Sequence, residues 1–93
     1  MSTIEVTPHG SHRHEVTVTG DGTTTSHQVT VPDGLLEQWG LTDADEETVV
    51  RESFAFLLER EPATSIMSEF SLSVISRYFP EYGDELPRRL TER

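Results

Sequence analysis

The sequence predicts an α+β domain, with an N-terminal antiparallel β-meander or hairpin packed against three to four short C-terminal helices. Up to Val31 apolar residues alternate with polar ones at period two, and the valine and threonine enriched there suit a pleated sheet. Beyond Val31 the apolar spacing becomes helical, and Pro62 and Pro80 cut that half into short lengths. The chain has 93 residues. A chain of this size buries only about 60 to 65% of the surface it exposes when unfolded, which leaves room for one core. Residues 1–93 therefore read as a single domain, with a β unit over about 3–31, a helical unit over about 33–90, and residues 1–12 loosely held.

Ile4 and Val6, Val16 and Val18, and Val29 and Val31 mark three strands, separated by the turn sequences Pro8-His9-Gly10 and Gly20-Asp21-Gly22. In the second hairpin, a turn centred on Asp21-Gly22, or a four-residue loop from Gly20 to Thr23, sets Thr19 opposite Thr24. Val18 then meets Thr25, Val16 meets His27 and His14 meets Val29, so every candidate for burial falls on one face. A slip of one residue would send that whole set to the other face. Arg13, Glu15, Thr17, Ser26, Gln28 and Thr30 compose the solvated face.

Pro32-Asp33-Gly34 introduces a short helix carrying Leu35, Leu36 and Trp39, with Gly40 placed to end it. An acidic connection follows, in which Asp43 or Asp45 is placed to cap a helix over about Glu46 to Arg60. Glu46 and Glu47 stand at the positive end of its dipole. Val49, Val50, Ser53, Phe54, Phe56, Leu57 and Leu58 give this helix an apolar stripe wider than one packing partner needs. It is therefore expected to touch both the sheet and the later helices. Glu47 and Arg51 form an i, i+4 pair on its narrow polar side. After Pro62, Ala63 to Phe70 read as a short helix, Ser71 caps a third stretch reaching Phe79, and a last helix covers about Asp84 to Leu90.

Leu58-Glu59-Arg60-Glu61-Pro62-Ala63-Thr64-Ser65-Ile66 and Arg77-Tyr78-Phe79-Pro80-Glu81-Tyr82 resemble segments of a family of short uncharacterised bacterial proteins. The resemblance spans about residues 14 to 90. It implies a shared fold and transfers no functional residue.

The formal net charge is −10, from 17 acidic residues against 7 basic ones, all arginine. Such a surface repels phosphates and anionic lipid heads and attracts basic partners. Neither nucleic acid nor a membrane surface is an expected partner. With no cysteine, disulfides, thiolate nucleophiles and cysteine zinc sites are excluded. Met1 to Glu5 lack the basic and apolar regions of a secretion signal, and no apolar run approaches a membrane span, so a cytoplasmic location is expected. Serines, histidines and acids occur without a nucleophile elbow or a Gly-rich phosphate loop. No catalytic residue and no cofactor is expected.

Three binding readings remain. The first is a non-enzymatic interaction or regulatory module, because Phe70, Ile75, Tyr78, Phe79 and Tyr82 concentrate interface-prone side chains in proline-punctuated helices. Its partner is another protein or a second copy of the chain, with a homodimer through the C-terminal helices expected. The second is a metal site, since His12, His14 and His27 are brought near one another by the hairpin register and imidazoles bind zinc or nickel. The third is a ribbon-helix-helix-like DNA-binding protein, suggested by Gln28-Val29-Thr30-Val31-Pro32 ahead of two helices. Asp43 to Glu47 would repel phosphate at the second helix and oppose it.

Overall fold

The computed structural model describes residues 3–20, 22–32, 34–38 and 45–91. Strands β1 (Thr3–Pro8), β2 (Arg13–Gly20) and β3 (Thr23–Thr30) form the antiparallel meander that the alternation predicts. Thr19 pairs with Thr24, Val18 with Thr25, Val16 with His27 and His14 with Val29, which is the anticipated register. Gly20 pairs with Thr23, so the connection is the two-residue turn. Its Gly22 takes a left-handed backbone, φ 79°, which glycine adopts without a Cβ clash. Asp21 lies outside the described residues. One face of the sheet buries Val6, His14, Val16, Val18, His27 and Val29, and the opposite face is exposed or half-buried. The stretch expected to be loosely held contributes β1, paired with β2 from Thr3 opposite Thr19 to Pro8 opposite His14.

A fourth strand, β4 (Glu69–Ser71), pairs parallel with β3 and occupies residues expected to be helical. Only Ala63–Ser65 makes a helical turn, of 3₁₀ type, and the chain then extends. The free edge of β3 explains the choice. Gln28 donates its backbone N–H to the Ser68 carbonyl at 2.7 Å, and His27 Nδ1 donates to the Met67 carbonyl at 2.8 Å. An eight-residue helix is marginal in water, whereas these carbonyls gain partners on the strand and Ile66 and Phe70 reach the core.

Helix α1 (Leu35–Gln38) sets Leu35 and Leu36 against the core, while Trp39, Gly40 and Asp43 lie outside the described residues. Helix α2 (Glu46–Leu58) begins where expected and stops two residues early. Asp45 occupies its N-cap position without a side-chain capping bond. Its wide stripe is covered from two sides. The Phe54 ring lies 5.2 Å from the His27 ring and 5.9 Å from Phe70, and Phe56 meets Tyr82 at 5.3 Å and Phe79 at 6.0 Å. Helix α3 (Leu72–Tyr78) is capped by Ser71, whose hydroxyl accepts from the Ser73 N–H as predicted. Helix α4 (Tyr82–Thr91) starts earlier than expected and packs on α2 and α3. One hydrophobic cluster joins the sheet to the helices, from Val6 to Leu86.

Candidate functional site

Two loci gather the candidate residues. The first is an apolar groove of about 430 Å³ between α3 and the extended segment that follows the 3₁₀ turn. Core side chains build its floor: Leu57 from α2, Ile66, Phe70 from β4 and Ile75 from α3 are all buried and all line it. Its rim is different. Met67, 44% exposed, and Tyr78, 68% exposed, are the exposed large apolar side chains among the described residues, and both belong to this groove. Val74 and half-buried Phe79 complete the apolar lining, with Ser65 beside them.

Of the five residues expected at an interface, Phe70, Ile75, Tyr78 and Phe79 therefore meet around one concavity. Tyr82 does not join them. It is fully buried against Phe56, and its hydroxyl lies 2.7 Å from Ser53 Oγ. The Ser53 hydroxyl donates to the Val49 carbonyl, so it receives the Tyr82 proton on a lone pair. Burial raises the phenol pKa well above its ordinary value, against the opposing effect of the Ser53 hydrogen bond, so Tyr82 stays protonated. Leu57, Ile66, Met67 and Val74 line the groove as well. Their signal was an apolar character that a core position would share equally.

Glu61 is the charged side chain in the groove lining, half-buried and without an ion-pair partner among the described residues. It also lines a second hollow of about 320 Å³, with Val18, Thr23, Leu58 and Pro62. The neighbouring cations are engaged elsewhere. Arg60 stacks 3.7 Å over the Phe56 ring and reaches Glu85 at 3.0 Å, while Arg89 bonds Glu59 and Glu85. The hydrogen bond from Arg89 holds the Glu85 carboxyl below its ordinary pKa, against slight desolvation.

The second locus lies where the β1–β2 loop meets the start of α2. His12 Nδ1 lies 2.7 Å from one Glu46 oxygen and His14 Nε2 3.1 Å from the other. An ionised carboxylate only accepts, so each imidazole carries its proton on the nitrogen facing Glu46. His14 Nδ1 is buried with no hydrogen-bond partner. Burial acts to raise the Glu46 pKa, but the hydrogen bonds from His14 and His12 outweigh it and hold the carboxyl below its ordinary value. His27 is turned to other partners. Its Nδ1–H goes to the Met67 carbonyl and its Nε2 to Thr25 Oγ1 at 2.9 Å. The set His12, His14 and His27 is thus not assembled, and among the described residues no group of three or more histidines and acids is arranged to hold a metal ion.

The strand considered for DNA contact, β3, is paired with β2 along its length and with β4 at Gln28–Thr30. Gln28 spends its side-chain amide on Glu15. Among the described residues, no helix is long and apolar enough to cross a membrane. Compared with protein-family models, curated proteins and solved structures, the chain matches none, so the geometry of the groove and its charge carry the functional reading.

Proposed function

We propose that this chain is a non-enzymatic protein-interaction module that binds its partner through the groove beside α3. One observation carries the reading: Met67 and Tyr78, the exposed large apolar side chains among the described residues, share a concavity whose floor is already built by buried residues. Exposing such side chains together has a cost in solubility that an isolated surface residue does not, and contiguous apolar patches rimmed by polar surface mark binding sites. A rigid floor lowers the ordering cost of association, and tyrosine and methionine are favoured at interface cores.

The test is selection of displayed peptides on the purified protein, followed by mapping of the binders by NMR. Bound peptides are expected to shift the signals of Met67, Val74 and Tyr78. The Met67→Ala, Tyr78→Ala double variant should bind them roughly thirtyfold more weakly, about 2 kcal/mol, as for a loss of interface anchors. Its melting temperature should stay close to that of the unaltered chain, because both side chains are exposed. Binders that map to another surface would overturn the assignment.

A further inference from the structure

We infer that the groove takes a basic amphipathic helix, with apolar side chains on the groove floor and an arginine or lysine at its border paired with Glu61. This deepens the reading of the groove as a binding face and rests on it. The first support is local. Glu61 brings a carboxylate into an otherwise uncharged lining and has no ion-pair partner among the described residues, although Arg60 is its neighbour in sequence. A partly desolvated carboxylate beside an apolar floor is matched by a cation carried next to apolar anchors.

The second support is the field of the whole molecule. At a formal net charge of −10 the chain draws basic segments toward it and repels a second copy of itself. An isologous dimer through this groove would bring two copies of Glu61 to one interface. The third support is shape. Val74, Ile75 and Tyr78 of α3 line the groove together with Ile66, Met67 and Phe70, so apolar side chains from two segments border its length. An open groove walled by apolar side chains accepts the i, i+3, i+4 and i+7 anchors of a helix.

Fluorescence anisotropy on the full chain tests this with four synthetic 16-residue peptides. Three share one leucine face and carry arginine, glutamine or glutamate on the polar face, and the fourth is a scramble of the arginine peptide without an apolar face. The arginine peptide is expected to bind at least tenfold more tightly than the glutamate peptide and the scramble, and to weaken as salt is raised. Glu61→Gln should weaken the arginine peptide about two- to fivefold and leave the glutamine peptide unchanged. Glu5→Gln, which removes the same charge from the far edge strand, should have no such effect. Equal binding of the arginine and glutamine peptides, or equal effects of the two substitutions, would overturn the inference. If the glutamine peptide still depends on Met67 and Tyr78, the groove stands as the binding face and only its basic partner falls. Self-association through the groove that grows with salt and excludes the peptides would make a second copy the occupant and also overturn it.

Discussion

At the scale of single residues, Glu46 carries more of the architecture than its place in an acidic run suggests. Its two oxygens accept from His12 and His14, which ties the loop between β1 and β2 and the start of β2 to the first turn of α2. The same loop is held by backbone. His12 adopts φ 59°, uncommon for a side chain other than glycine, and its carbonyl accepts the Val31 N–H at 2.8 Å. Because Glu46 titrates lower in the folded chain than its ordinary value of 4.5, its contribution to stability is present above about pH 4.5. It is lost as the pH falls through the lowered value. Glu46→Gln is therefore expected to cost about 1 to 2 kcal/mol near neutral pH and to converge with the unaltered chain as the pH falls through that lowered value. Thermal melts across that range measure it. Parallel profiles for the two proteins would mean that the carboxylate does not carry the acid sensitivity.

At the scale of elements, α2 is the support on which both halves rest. Phe54 touches His27 of β3 and Phe70 of β4, so a single ring braces the parallel pair that closes the sheet. Phe54→Ala is expected to cost about 3 to 5 kcal/mol, a large part of the stability of a small domain. Arg51 sits on the polar side of the helix with Glu47 at 3.6 Å, both side chains partly exposed. Arg51→Ala should change stability by about 0.5 kcal/mol or less, since an exposed i, i+4 pair contributes little. Urea denaturation of the two variants compares them. Similar losses from both would place the buried face of α2 wrongly.

At the scale of the whole molecule, charge decides which encounters are open. The acidic field and the pairing of β3 with both β2 and β4 act together against a strand-in-groove DNA contact. No retention of random duplex DNA is expected in a gel-shift assay at moderate salt, and a salt-sensitive shift would revive that reading. The arginines of the α2–α4 contact are already committed to Glu59 and Glu85, which leaves the groove with Glu61 as its charge.

The alternation of Val16, Val18 and Val29 with polar neighbours, together with the turn sequence Gly20-Asp21-Gly22, was enough to predict the meander and its register. A strand's side chains alternate strictly, so a slip of one residue would expose the valines, and the tight turn between β2 and β3 selects among the registers that keep them buried. The length and double-sided apolar stripe of α2 were legible for a similar reason, because helical periodicity is local. Tertiary structure alone decided the fate of Ile66 to Phe70, whose spacing suits a helix face and a strand end equally. The free edge of β3, far away in sequence, took those carbonyls and made β4. It also decided which aromatic rings stay outside. Tyr78 and Tyr82 lie four residues apart, yet the turn at Pro80 and Glu81 ends α3 and starts α4, so one ring is exposed and the other buried. Burial is set by what packs opposite each side chain, and composition carries no record of that.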